Sequence, residues 1–293
     1  MLRNPISMEI LNAYSTRKHK TIYIDCYGLP DTITLSVAFT YNNYDDVALY
    51  FKIRAESESP YWIFSGAKTL GYLGSGSSKM ALWDQFAQRP NPKADVEETI
   101  KLILEAYTDR NYTNLKWTYT RLVTVKILYP YGAGWTILDE DNFDAGNVEG
   151  WEAVGVYNNY SGYPFRYIAS DYVLSPPYSL AYREYGWDSG FDIEGALRKS
   201  FSIPSCNEAY ATVNIRYIPD SEYLRYYKLY FAGSLKMYIT NPSPYPLHNR
   251  WIRMTIPLDP NTSGYLQINI RQYISTAPRY PQARLDDIRV FYR

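Results

Sequence analysis

The chain contains little cysteine and little histidine. Its 293 residues include two of each, and the cysteines, Cys26 and Cys206, lie far apart in the sequence. A disulfide framework is therefore excluded. Two histidines give little support for a histidine-based metal site or for a Ser-His-Asp catalytic triad. Two isolated thiols are the favoured state of the cysteines, and a bridge between two domains is the alternative.

The chain also has no excess of charge of either sign. Lys+Arg and Asp+Glu are 30 each, so the formal net charge is +0. This balance argues against a nucleic-acid-binding protein that works through a broad positive field. The run 17–20 is the one tight basic segment, and such a short run is typical of a solvated strand entry.

Long hydrophobic runs are missing too. No run of 18 apolar residues occurs, so we expect no membrane span. Residues 1–20 lack the apolar centre of a secretory signal peptide. Three glycosylation-type sequons, at Asn111, Asn159 and Asn261, give weak support to an external location.

Tyrosine is abundant instead, with 33 tyrosines against 10 phenylalanines. Tyrosine favours strands, and it packs its ring while keeping its hydroxyl in water. This composition is typical of sheets with half-exposed faces or of a surface that contacts a partner. A compositional habit of the source genome is the alternative explanation.

Alternating apolar residues predict β-strands along most of the chain. Ile6, Met8 and Ile10 alternate within residues 1–18, which we interpret as an N-terminal arm that pairs with a sheet, docks on a partner or stays loose. The segment 96–107 fits a helix as well as a strand, and its β-rich surroundings favour a strand. The expected architecture is all-β: an immunoglobulin-like sandwich at 19–128 and a linker at 129–138, followed by a second domain at 139–293.

Three segments of the second domain carry a resemblance. An acid-Phe-acid opening at 141–144 with Gly146, Gly150 and Trp151, a Ser-Pro-Pro-Tyr-Ser-Leu-Ala-Tyr strand at 175–182 and a Leu-Asp-Asp-Ile-Arg-Val ending at 285–290 stand in this order. Together they resemble jelly-roll carbohydrate-binding modules of the galactose-binding-like group. The resemblance implies a jelly-roll sandwich for 139–293.

The same resemblance implies a structural calcium ion that joins Asp144 of the opening segment to Asp286 of the closing strand. Calcium prefers carboxylate and backbone oxygens. Strand alternation predicts that Asp286, Ile288 and Val290 share one face. Alternatively, Asp286 accepts backbone N–H bonds or pairs with a neighbouring arginine.

A glycan platform is the second site hypothesis, because sugars stack on aromatic rings beside polar groups. Asp188 and Arg183 are expected to supply hydrogen bonds. Covering a sandwich end or contacting another subunit is the alternative role of these rings. The predicted platform residues, all in loop-like sequence, are Tyr157, Tyr160, Tyr163, Tyr185 and Trp187.

No enzyme is predicted, because the adjacent Glu97 and Glu98 would point to opposite faces of a strand. Sandwiches in series resemble turret, vertex and spike proteins of icosahedral viruses, including those of archaea. We therefore expect a virion structural protein at the virion surface, with other virion proteins and copies of itself as partners and a further role in host attachment. The missing signal segment favours this assignment. The alternative is an extracellular glycan-binding module of a cell surface.

Overall fold

The computed structural model describes residues 4–15, 20–28, 32–35, 37–59, 62–64, 66–83, 87–90, 93–148, 150–157, 164–184, 191–219, 222–240, 247, 249–274 and 282–293. Every regular element within these ranges is a β-strand, which confirms the all-β prediction. Over the same ranges no helix has the length and apolar character needed to cross a membrane. The chain divides into two compact units, Met1–Tyr129 and Pro130–Arg293, here called unit 1 and unit 2.

Unit 1 is a β-sandwich. Its described strands are β1 (Ile6–Ile10), β2 (Tyr14–Ser15), β3 (Lys20–Asp25), β4 (Thr32–Thr34), β5 (Val37–Asn43), β6 (Leu49–Glu56), β7 (Ile63–Phe64), β8 (Lys68–Leu73), β9 (Ser78–Trp83), β10 (Ala87–Pro90), β11 (Val96–Tyr107) and β12 (Leu115–Leu128). One sheet has the order β1-β5-β9. The facing sheet has the order β3-β12-β11-β6-β8, with β3 parallel to β12.

The core of unit 1 lies between these two sheets. Phe39 of β5, Phe51 and Ile53 of β6 and Leu104 of β11 are fully buried within one cluster. Strand β1 contributes Ile6 to the same cluster and pairs with β5, so residues 6–10 of the predicted arm belong to the sheet. The segment 96–107 is a strand, as the β-rich setting indicated. Burial of alternate side chains therefore fixes residues 6–10 as part of the fold.

Unit 2 contains two antiparallel sheets. Its described strands are β13 (Thr136–Asp141), β14 (Glu152–Tyr157), β15 (Pro164–Ala169), β16 (Ser179–Glu184), β17 (Phe191–Ser202), β18 (Ala209–Ile218), β19 (Glu222–Phe231), β20 (Ser234–Thr240), β21 (Trp251–Leu258), β22 (Ser263–Ile274) and β23 (Gln282–Tyr292). The first sheet has the order β15-β16-β23-β18-β21. Strand β13 extends it along β23, so the predicted linker 129–138 overlaps a strand.

The second sheet of unit 2 has the order β14-β17-β22-β19-β20 and is here called the tyrosine sheet. Leu197, Ile268 and Leu229 on one of its faces are fully buried. Val213 and Leu285 of the first sheet are buried as well. These alternating apolar side chains form the core of unit 2.

A β-bulge in the closing strand β23 overturns one predicted arrangement. Asp286 lies opposite Asn214, whereas Val290 lies opposite Ala211. Asn214 and Ala211 are three residues apart, so their side chains point to opposite faces, and so do those of their partners. The prediction that Asp286 shares a face with Ile288 and Val290 is therefore wrong. The extra residue at Asp287, where φ is 44°, shifts the alternation by one.

Candidate functional site

The second face of the tyrosine sheet, here called the polar face, concentrates hydrogen-bonding side chains on three adjacent strands. In β22 the polar residues Gln267, Asn269 and Arg271 alternate with buried Leu266, Ile268 and Ile270. The register places Glu194 of β17 opposite Arg271. On the other side, β19 places Tyr226 opposite Arg271 and Lys228 opposite Asn269. Strand pairing therefore collects these side chains on one face.

Glu194 lies at the centre of the polar face. Its carboxylate accepts hydrogen bonds from the Tyr226 hydroxyl at 2.6 Å and from the Asn269 side-chain amide at 2.6 Å. The Gln267 amide in turn donates to Asn269 at 2.8 Å. Glu194 is 6% exposed and Asn269 2% exposed, so these bonds satisfy groups that are costly to bury unpaired. The protein's own hydrogen bonds therefore hold this network in place.

Cationic side chains surround this network. Arg271 donates to the Tyr226 hydroxyl at 3.4 Å and to the Asp192 carboxylate at 3.1 Å. The Lys228 ammonium lies 4.4 Å from the centre of the Tyr226 ring and 5.2 Å from that of Tyr238. Burial, together with the bond to Glu194, raises the pKa of Tyr226, so its hydroxyl stays protonated at neutral pH. The bond to Tyr226 and the neighbouring Asp192 raise the pKa of Arg271.

Two exposed tyrosines flank the buried network. Tyr238 of β20 is 41% exposed and meets the Tyr226 ring edge-on at 5.2 Å. Tyr265 of β22 is 39% exposed, and the Arg198 guanidinium lies 4.3 Å from its ring centre. Arg198 is also paired with Glu152 of the edge strand at 3.0 Å. Each ring is thus supported from one side and open on another, which suits a stacking contact.

The predicted platform residues fall largely outside the described ranges. Tyr157 ends β14, where its backbone pairs opposite Glu194, so its position adjoins the polar face. The role of these residues stays a prediction. Arg183 lies in β16 of the other sheet. The remaining platform residues and the proposed hydrogen-bonding Asp188 lie outside the part of the chain that the structure describes: Tyr160, Tyr163, Tyr185 and Trp187.

The opening segment of unit 2 is held by an ion pair. Asp141, 1% exposed, accepts the Trp151 indole N–H at 2.8 Å and the Lys199 ammonium at 2.8 Å. Asp139 binds the same ammonium at 2.6 Å. Trp151 is fully buried. Lys199 of β17 therefore ties the opening segment to the tyrosine sheet.

The two predicted calcium ligands have different surroundings. Asp286 is fully buried and accepts the backbone N–H groups of Leu174 and Ser175 at 2.9 and 3.0 Å. Asp144 is exposed and accepts an amide bond from Asn142 at 2.8 Å. The N–H donors would compete with a cation for Asp286, which favours the backbone-bonded alternative. Over the described residues no group of three candidate ligands assembles, and calcium stays a prediction.

No protein-family model matches the chain, and no curated protein matches it. A structure from work on promiscuous carbohydrate-binding modules of the β-sandwich superfamily is 12% identical over 97% of this chain and 98% of its own, with a TM-score of 0.40. A carbohydrate-binding module studied for mannan recognition is 15% identical over 55% of this chain and 99% of its own, at 0.37. A xylan-binding domain from Paenibacillus barcinonensis is 13% identical over 53% of this chain and 93% of its own, at 0.31.

At such identities and scores, these similarities do not indicate what this chain binds. They also do not bear on the virion assignment. That assignment, with its virion-surface location and virion partners, stays a prediction.

Proposed function

We propose that the chain is a non-catalytic carbohydrate-binding protein whose ligand lies on the polar face of the tyrosine sheet. The observation that carries the proposal is the carboxylate of Glu194, held by Tyr226 and Asn269 on a sheet face flanked by the exposed rings of Tyr238 and Tyr265. Sugars present hydroxyl groups around a ring that also has apolar C–H surfaces. Fixed polar groups beside open aromatic rings match both features.

The polar side chains at the centre of the polar face favour a sugar over a protein as the ligand. Protein interfaces place apolar and aromatic side chains at their centre and polar groups at the rim. Here Glu194 and Asn269 form the centre, and the rings of Tyr238 and Tyr265 lie to the sides. This order favours a polyhydroxylated ligand that hydrogen-bonds in the middle and stacks at the edges.

The dimensions of the face favour an oligosaccharide. Five strands, with four spacings of about 4.8 Å, give a width of about 19 Å. Asp192 on this face is bound by Arg271 at 3.1 Å and by Arg225 at 3.3 Å. A carboxylate whose oxygens are bound by two arginines is not free to transfer a proton to a glycosidic oxygen, which supports binding without hydrolysis.

The test is affinity gel electrophoresis in neutral polysaccharides: mannan, xylan, galactan and β-glucan. We expect at least one to retard the wild-type chain, and Tyr238→Ala with Tyr265→Ala to weaken binding by about tenfold. Tyr172→Ala removes an equally exposed ring from the loop between β15 and β16 and should leave retardation unchanged. Retardation by none of the polysaccharides, or equal retardation of the double variant, would refute the proposal.

A further inference from the structure

Unit 1 contains an open cavity that the proposed site in unit 2 does not use. Its volume is about 600 Å³, within the range of about 300–1,000 Å³ that is usual for small-molecule sites. Two partly exposed aromatic side chains, Tyr44 and Trp117, line it together with polar and charged groups. The polar lining that matters for its chemistry is Asp45, Asp46, Ser75 and Lys116.

The turn after β5 forms one wall of the cavity and is firmly held. The buried Asn43 amide donates to the carbonyls of Leu73 and Gly74 at 3.0 and 3.2 Å, joining this turn to the β8–β9 connection. Asn43 also accepts the backbone N–H of Asp45 at 3.0 Å. The Ser75 hydroxyl donates to the Asp45 carbonyl at 2.6 Å. A wall built from such bonds is formed in the absence of a ligand.

Trp117 is positioned by a carboxylate. Asp45, only 7% exposed, accepts the indole N–H of Trp117 and binds the Lys116 ammonium at 3.0 Å. The indole is thus fixed by its edge, while Trp117 as a whole remains 37% exposed. An exposed ring held in one orientation has lost rotamer freedom beforehand, which lowers the entropic cost of stacking a ligand on it.

The charges of the lining indicate a neutral ligand. The Lys116 ammonium already lies 5.9 Å from the centre of the Trp117 ring, so a cationic ligand over that ring would be repelled. An anionic ligand would meet Asp46, which is exposed at the cavity, beside Asp45. An uncharged ring with hydroxyl groups stacks on Trp117 and hydrogen-bonds to Asp46, Ser75 and Lys116 without either penalty.

We propose that this cavity is a second carbohydrate-binding site, which takes a neutral sugar residue against the Trp117 ring. It is independent of the polar face in unit 2 and stands whether or not that face binds a ligand. If both sites bind, one chain carries two sites, and avidity for a polysaccharide exceeds the affinity of either.

The experiment follows the indole N–H signal of Trp117 by NMR in the full-length chain, assigned with Trp117→Phe. Neutral trisaccharides of glucose, mannose, xylose and galactose are titrated to millimolar concentration, beside a galacturonic acid trimer and a glucosamine trimer. We expect at least one neutral trisaccharide to shift the signal, and both charged trimers to bind at least about tenfold more weakly. The shift should persist in the double variant Tyr238→Ala/Tyr265→Ala.

Two variants test whether binding takes place at the cavity. Trp117→Ala should abolish binding at the cavity, whereas Tyr72→Ala, which removes the exposed ring of β8 outside the cavity, should change the affinity less than about twofold. A Trp117 signal that no neutral trisaccharide moves overturns the proposal, even if Trp117→Ala fails to fold. Tighter binding of a charged trimer, or loss of the shift in the double variant, overturns it as well.

Discussion

Units 1 and 2 each place a glutamate beside a tyrosine hydroxyl on a sheet face, but the two glutamates have different second partners. In unit 1, Glu105 accepts the Tyr107 hydroxyl at 2.7 Å and the Arg54 guanidinium at 2.8 Å. In unit 2, Glu194 accepts the Tyr226 hydroxyl at 2.6 Å and the neutral Asn269 amide at 2.6 Å. Over the described residues, Glu194 has no ion pair.

The difference shows what each face is suited for. Arg54 also binds Glu56, which pairs with Lys101 at 3.2 Å, so the face in unit 1 is a ladder of opposite charges that satisfy one another. Such a ladder keeps a sheet face soluble and contributes little stability per pair. On the face in unit 2, Glu194 is bonded to the uncharged side chains of Tyr226 and Asn269, and the charged Arg271, Lys228 and Asp192 lie around them. Uncharged groups lose less solvation when a sugar replaces water, so the centre of this face is better suited to a neutral ligand.

The largest expected effect is that of removing the two glutamates. Glu194→Ala leaves the Tyr226 hydroxyl and the Asn269 amide without their acceptor, so we expect sugar affinity to fall by tenfold or more, with about 1–3 kcal/mol of stability lost. Glu105→Ala should leave affinity unchanged within about twofold. Affinity electrophoresis and urea unfolding measure the two quantities. Equal loss of affinity in both variants would break the comparison.

The pH dependence of stability should have opposite signs at a buried acid of unit 2 and at Glu105 of unit 1. Burial raises the pKa of Asp286 in unit 2 from 3.8 to about 6, so the folded state holds its proton more tightly than the unfolded state. The contribution of Asp286 is therefore fully present at low pH and is lost as pH rises through about 6. In unit 1, burial opposes the ionisation of Glu105, but the bonds from Arg54 and Tyr107 outweigh it and lower the pKa. Its contribution is present above the usual value of 4.5 and is lost as pH falls.

Urea unfolding from pH 4 to pH 7 checks both signs. Relative to Asp286→Asn, the wild type should lose about 1–2 kcal/mol across this range as pH rises. Relative to Glu105→Gln, it should lose stability as pH falls below 4.5, which an extension of the series to about pH 3 measures. Repeating the series with calcium and with a chelator tests the predicted ion, because bound calcium would stabilise ionised Asp286 and reverse the first slope.

The smallest expected effect is the coupling within the charge ladder. A double-mutant cycle on Arg54→Met and Glu105→Gln should give about 0.5 kcal/mol, reduced by added salt. The cycle on Tyr226→Phe and Glu194→Gln should give a coupling that salt changes little, since no ion pair is involved. A salt-sensitive coupling at Glu194 would show that charge also dominates the face in unit 2.

The alternation of apolar residues predicted most strands, because burial of one face fixes both period and register. The bulge at Asp287 was not predicted, because one extra residue is not visible in a short apolar pattern.

The polar face had a signal that sequence reasoning passed over. Gln267, Asn269 and Arg271 alternate with Leu266, Ile268 and Ile270, which predicts a polar sheet face on β22. Which acid that face would meet could not be predicted, because the pairing of Glu194 with Arg271 joins residues distant in the chain. The platform predicted from the sequence lies in aromatic loops, whereas the candidate site lies on regular strands.

The most direct test of the central claim is an NMR titration that follows the side-chain amide signals of Gln267 and Asn269. Their NH₂ groups report on the hydrogen bonds of the polar face itself. With a neutral oligosaccharide that retards the chain in gels, we predict that both signals shift and saturate together, and that Glu194→Ala removes the shift. Saturable binding of that oligosaccharide with both amide signals unmoved would contradict the account.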